Sequence, residues 1–282
     1  MTTKTEAIGN KVRIGAWWNR AALRFSRDHK ENKGWGIFSG KEGFLFAVIL
    51  LILWQIIAVV SHQKLRFLFP SLPVVAGALW VSLPELLRGT WSSFLILVPG
   101  YLAAVAVGVA AGIVTATTGW LGRAFMPFAR VVAPVPPTIY IPYAIALIAT
   151  FRGASIVVVF IGAFWPVFLN TAAGAAAVPA QYRDDARILG LSRFDTLRKV
   201  VLPASLPQSF SGMAVGLALS FIMLTVAELF GANAGLGRFV QYYADYADYP
   251  RMVAGIVYTG LITFLSMAIL ERIRKRALFW VR

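Results

Sequence analysis

Residues 43–61 read Gly-Phe-Leu-Phe-Ala-Val-Ile-Leu-Leu-Ile-Leu-Trp-Gln-Ile-Ile-Ala-Val-Val-Ser, without one charged side chain. A run of roughly 20 such residues, coiled as a helix, spans the hydrocarbon core of a bilayer. In water it has no polar face to turn outward. Runs of similar length and composition recur at about 92–115, 131–150, 156–178, 208–231 and 252–270. The expectation is an all-α membrane protein with six transmembrane helices. Prolines 99, 127, 134, 136, 137 and 142 interrupt the second and third runs. Each frees backbone groups that neighbouring helices or cavity water must satisfy, which favours a bundle with an internal path.

Composition agrees and removes other classes. Hydrophobic residues make up 59% of the 282 positions and charged residues 14%, against about 25% charged in a soluble domain. There is no cysteine, so disulfides and thiolate metal sites are excluded. His29 and His62 lie far apart in polar segments, which speaks against a metal or a His-based catalytic centre. The formal charge of +15 sits between the apolar runs, with no basic, aromatic-interleaved folded module; nucleic acid is not an expected partner, and membrane lipid is.

The charge distribution sets a topology. Lys and Arg in 1–42, 117–130, 180–200 and 272–282 number 21, against six in the alternate loops. The positive-inside rule puts the first group, and both termini, in the cytoplasm. Residues 1–42 are too long and too charged to begin a secretory signal peptide. They form either an interfacial helix, with Ile14, Trp17, Trp18, Ala21 and Phe25 on one face, or a partly ordered basic tail. The expected organisation is therefore an N-terminal extension, 1–42, and a membrane domain, 43–282.

The cytoplasmic segment 180–207 is patterned where a plain loop would not be. Tyr182, Ala186 and Leu189 share one helical face opposite charged residues, and Gly190 follows as a stop. Ser192 is placed to cap a second short helix, with Asp195 at its third position and Phe194, Leu197 and Val201 as its apolar stripe. Leu202-Pro203 and Leu206-Pro207 are expected to end that helix and return the chain to the membrane. Two short helices bent at a glycine make a knob suited to another protein's cleft.

Asp184, Asp185, Ala186, Gly190, Leu202 and Pro203 together resemble the EAA loop of importer permeases of the ATP-binding cassette (ABC) type. Asp184 stands where that family usually has Glu, and Asp185 where it usually has the first Ala. The resemblance covers about 68–282 and is nearest to the sulfonate, taurine and nitrate branch. It includes Pro134-Val-Pro-Pro-Thr-Ile-Tyr-Ile-Pro142, Phe164-Trp-Pro-Val-Phe-Leu-Asn-Thr171 with Gly174, Val226-Ala-Glu-Leu-Phe-Gly-Ala232 with Gly235-Leu-Gly237, and Trp280. Ser93-Phe-Leu-Ile-Leu97 lacks the Arg usual in that branch, and Phe151-Arg152-Gly153 replaces a usually apolar segment.

The resemblance implies a type I ABC-importer permease fold in the bacterial inner membrane. The chain would be a transport subunit and not an enzyme, working as a homodimer that moves a small oxyanion such as a sulfonate, taurine or nitrate. It implies ABC ATPase subunits, which carry ATP and magnesium, and a periplasmic or lipid-anchored substrate-binding protein; no cofactor belongs to this chain. Asp184, Asp185, Ala186, Gly190, Leu202 and Pro203 would take the ATPase's push. Alternatives are an ion-driven secondary transporter, which would call for inverted repeats and midplane ionisable groups that the sequence lacks, or a permease for a different small solute.

Four residues are candidates for the path or gate. Glu228, about 28 Å along its helix from Ser209, is either an outer-gate residue or a structural tie to the loop 231–237 or Arg238. Asn170 and Thr171 either line the path or bond neighbouring helices. Arg152 either draws an anion to the outer mouth or snorkels at the interface. Gly231-Ala-Asn-Ala-Gly-Leu-Gly-Arg238 lacks the Lys-Ser/Thr of a phosphate loop and reads as a re-entrant turn. The glycine pairs 108/112 and 212/216 are expected to bring helices close within the subunit.

Overall fold

A computed structural model describes residues 41–60 and 68–281. Residues 1–40 of the N-terminal extension, with the expected interfacial helix and His29, lie outside the described residues, as does His62. Contacts divide the chain into two units, residues 1–54 with 273–282, and residues 55–272. In the first, described residues belong to the start of α1 (Lys41–Val60) and to the C-terminal tail, where Phe279 and Trp280 meet edge to face.

The described residues contain helices and no strand. After α1 come α2 (Leu72–Thr117), α3 (Gly119–Val132), α4 (Ile141–Leu147) and α5 (Phe151–Ala176). Then follow α6 (Ala180–Ile188), α7 (Arg193–Thr196), α8 (Leu202–Leu229), α9 (Leu236–Asp245) and α10 (Tyr249–Ala277). Four helical stretches are long and apolar enough to cross a membrane: 72–117, 151–176, 193–229 and 249–277. α3 and α4 make a fifth only if counted together, because they meet at 85°. The apolar stretch of α1, 45–60, is shorter.

Two expectations change here. The run 131–150 is not one rod: Pro134, Pro136 and Pro137 interrupt it, and a short 3₁₀ turn (Pro137–Tyr140) leads into α4. Proline removes an amide donor and clashes with the preceding turn, so three within four residues leave no uninterrupted helix. The run 92–115 is the second half of a much longer helix. At 46 residues, α2 extends about 69 Å, over twice the hydrocarbon thickness. Its first turn suits Pro73, whose missing N–H would be unpaired there. Gln55 of α1 takes the Leu72 N–H at 3.0 Å.

α5 is the central helix of the second unit, packed between α2 and α8. Lipid gives no hydrophobic drive for helices to associate, so close van der Waals approach has to do it. Gly108 and Gly112 of α2 meet Val167, Phe168 and Thr171 of α5. Gly212 and Gly216 of α8 meet Ala163, Pro166, Val167 and Asn170 on another side of α5. Both glycine pairs therefore serve packing inside the subunit. Phe160, Phe164 and Phe168 stack along α5, and Phe125 of α3 meets Phe168 edge to face at 5.4 Å.

Candidate functional site

The segment 180–201 folds as the expected pair of short helices. Gly190 ends α6 with φ of +71°, in the left-handed region. The Leu191 N–H reaches Ala186 O at 3.0 Å and the Gly190 N–H reaches Arg187 O at 2.9 Å. That pair of bonds is a Schellman turn. Ser192 then caps α7: its Oγ accepts from the Asp195 N–H at 3.1 Å and donates to Asp195 Oδ2 at 2.8 Å. Lys199 Nζ sits 2.8 Å from Asp195 Oδ1, and Arg187 pairs with Asp184 at 3.4 Å.

Which side chains face inward differs from the pattern reading. Ala186 and Val201 are buried, and Tyr182 and Leu197 pack beside Ile113 and Val201. Leu189 and Phe194, expected on the buried stripes, point out instead. Phe194 is 70% exposed and Ile188 beside the turn is 83% exposed. Leu189 follows the last turn of α6, where the chain unwinds toward Gly190 and the 3.6-residue register no longer holds. The tip of the knob therefore presents Ile188, Leu189 and Phe194 to its surroundings, with exposed Asp184 nearby in α6; Asp185 is half-buried.

Pro203 and Pro207 do not end the helix. α7 runs through a π-helical turn (Leu197–Val201) straight into α8, giving one helical stretch from 193 to 229. A π turn is wider than an α turn and commonly accommodates an irregularity without a break. Here it immediately precedes Leu202 and Pro203, with which the α-helical register of α8 begins. The knob and the membrane helix are thus covalently and helically continuous.

At the other end of α8, Glu228 is fully buried. Its Oε1 accepts from the Ser93 hydroxyl at 2.5 Å, and its Oε2 accepts from the Gly237 N–H at 2.7 Å. Ser93 Oγ also accepts from the Leu236 N–H at 3.0 Å. The first amides of α9, which lack partners within their own helix, are thus held by a carboxylate and a hydroxyl from two other helices. Negative charge is favoured at such a helix start. Ser92 adds a bond to Ala234 O at 3.0 Å, and Gly89 lets the loop approach α2. Glu228 is thus bonded to the Gly237 end of the loop 231–237.

The clasp positions α9. Leu236 and Phe239 pack with Leu86 and Tyr258. Tyr243 donates to Glu85 Oε2 at 3.0 Å, and the Arg251 guanidinium lies 5.3 Å from the Tyr243 ring centre. Burial, then the Glu85 carboxylate, raises the Tyr243 hydroxyl above the ordinary phenol range.

The remaining candidates lie apart. Arg152 is exposed in the first turn of α5, where Thr150 accepts from the Gly153 N–H at 3.3 Å. Phe151 next to it flanks Gly231. Asn170 and Thr171, adjacent in sequence, face different helices. Thr171 is fully buried against Gly112 of α2, and its hydroxyl has no partner among the described residues. Asn170 is half-buried on the α8 side and accepts from Gln208 Nε2 at 3.0 Å. Ser93 and Gln208 were not foreseen. Ser93 lies in a stretch whose one signal is a missing Arg, and Gln208 merely opens an apolar run.

Residues 104–278 match the family described as binding-protein-dependent transport system inner membrane component. The nitrate import permease protein NrtB of Leptolyngbya laminosa is 34% identical over 177 residues, 63% of this chain and 63% of that protein. The match thus spans less than two thirds of that relative. The taurine transport system permease protein TauC of Escherichia coli is 27% identical over 238 residues, 82% of this chain and 86% of that protein. A chain of the MetNI methionine ABC transporter, in an inward-facing conformation, shares the fold. Its TM-score is 0.61 at 20% identity, covering 70% of this chain and 97% of that one.

Proposed function

Because the chain belongs to the family of binding-protein-dependent transport system inner membrane components, we propose that it is the permease subunit of an ATP-driven importer for a small oxyanion such as nitrate, taurine or another sulfonate. The knob carries this reading. A charged, capped, two-helix projection that exposes Ile188, Leu189 and Phe194 is costly in water. It becomes useful when another protein covers it. That protein is a separate ABC ATPase, which holds the nucleotide and its magnesium. Asp184, Asp185, Ala186, Gly190, Leu202 and Pro203 shape the coupling element and its continuation into α8.

The permease works in the bacterial inner membrane as a homodimer with six spans per copy and both termini in the cytoplasm. α1 and the bent pair α3–α4 count as one span each. Closure of the ATPases draws the two knobs together and opens the path outward, where a substrate-binding protein delivers its ligand. Hydrolysis resets the path inward. No bond is made or broken in this chain; a rigid-body displacement becomes alternating access.

Co-purification with the ATPase encoded beside this chain tests the proposal. An Asp184→Ala/Gly190→Val double substitution should abolish the association, and Phe194→Ser should weaken it without loss of folded permease. Survival of both assembly and ATP-dependent uptake in the double variant would sink the coupling assignment.

A further inference from the structure

α5 and α8 run antiparallel and seat into one another reciprocally. A Cβ on Gly212 would lie 2.7 Å from the Cβ of Asn170, and one on Gly174 would lie 2.8 Å from the Cβ of Gln208. Asn170 and Gln208 each stand four residues before a glycine, so each amide residue faces the glycine of the other helix. The two amides meet at this seam. Gln208 Nε2 donates to Asn170 Oδ1 at 3.0 Å, and Asn170 Nδ2 donates to Pro166 O at 2.9 Å.

This bonding leaves one N–H on each amide and the Gln208 carbonyl oxygen without a partner among the described residues. Gln208 is exposed, and so is Ser211 one turn on, whose hydroxyl reaches back to Pro207 O at 3.3 Å. Farther along α8 the exposed side chains Val215, Ile222 and Leu229 are apolar. An amide facing hydrocarbon with unmade bonds is costly, so this end of α8 must face water or a polar solute.

We infer that Gln208, with Asn170 and Ser211, is the solute-contacting patch at the inner end of the translocation path. This rests on the permease reading and adds residues and chemistry to it. The patch offers an oxyanion neutral N–H donors. α8 carries no cation between Leu202 and Leu229, so the anion is not trapped by a full positive charge. Conduction needs contacts that are favourable yet weak enough to release.

The chain has no cysteine, so single cysteines report without background. The permease–ATPase complex carrying Gln208→Cys or Ser211→Cys is treated with the anionic sulfonatoethyl methanethiosulfonate. Leu265→Cys, apolar and half-exposed, and Arg272→Cys, at the cytoplasmic end of α10, are controls. Both test positions should react without nucleotide and slow about tenfold in the nucleotide-trapped state, as a path that closes on its inner side requires. Leu265→Cys should stay unreactive and Arg272→Cys reactive throughout.

Unreactive test positions, or rates equal in both states, overturn the path assignment and leave the permease reading standing. Failure of the unmodified chain to bind an ATPase overturns both. For the donor chemistry, uptake of nitrate and of taurine is compared between the unmodified complex and Gln208→Glu. A loss of about tenfold on whichever solute is imported supports it, since a carboxylate now faces the nitrate or sulfonate oxygens. Undiminished uptake, or import of neither solute, overturns it.

Discussion

Gly190 and Gly235 both hold positive φ, at +71° and +153°, yet alanine should behave very differently at the two. At Gly190 a new Cβ meets nothing within 4 Å. The cost is the left-handed backbone alone, about 1 kcal/mol. At Gly235, with ψ of 167°, the conformation is one that glycine almost alone adopts, costing about 1–3 kcal/mol. The new Cβ would also overlap the carboxyl group of Glu228. Moving that carboxylate breaks its bond from Gly237 and disturbs Ser93, stranding buried N–H groups at about 1–3 kcal/mol each. Gly235→Ala should therefore cost at least about 3 kcal/mol. In a chain of this size that corresponds to roughly 6–12 °C in Tm, against about 2–4 °C for Gly190→Ala. Thermal unfolding of the purified permease measures the difference, and hydrogen exchange at Leu236 and Gly237 localises it. Equal melting shifts, or unchanged protection at those amides, would refute the clasp as a bonded unit.

Other substitutions sample the same physics. Ser93→Ala leaves Glu228 and the Leu236 N–H short of a partner and should cost about 2–3 kcal/mol, whereas half-buried Ser92→Ala, which gives up one bond to Ala234 O, should cost under about 1 kcal/mol in the same melting assay. Thr171→Val removes a buried hydroxyl that has no partner among the described residues, so Tm should hold or rise slightly; a drop of several degrees would show that the hydroxyl is bonded. Ser192→Ala removes the cap of α7 at about 1 kcal/mol and should raise hydrogen exchange at Asp195 without loosening α9.

Much of the helical layout was legible because lipid imposes one rule, long apolar runs, that depends little on tertiary detail. The knob was legible for another reason: Gly190 and Ser192 act locally, through φ preference and a side chain within reach of its own backbone. What the sequence concealed was set by contacts distant along the chain. Ser93 is one small residue in an apolar run, and only the fold brings it to Glu228, 135 positions away. Gln208 became informative only beside Asn170. Pro203 reads as a stop because proline's local cost is large, but the π turn before it absorbs the irregularity. Periodicity places Leu189 and Phe194 inward, a rule that fails at helix ends, where no neighbouring turn covers the side chain.

The unbroken helical stretch from Arg193 to Leu229 has a mechanical consequence. It is about 56 Å long, with Phe194 near one end, Glu228 near the other, and Gly212 and Gly216 seated against α5 between them. A stiff beam resting on a fulcrum carries its two ends in opposite senses. On the proposed function, the inner and outer openings need no separate signal to stay out of phase. The same seesaw that shuts one releases the other, and its stroke is set by how far the fulcrum lies from each end.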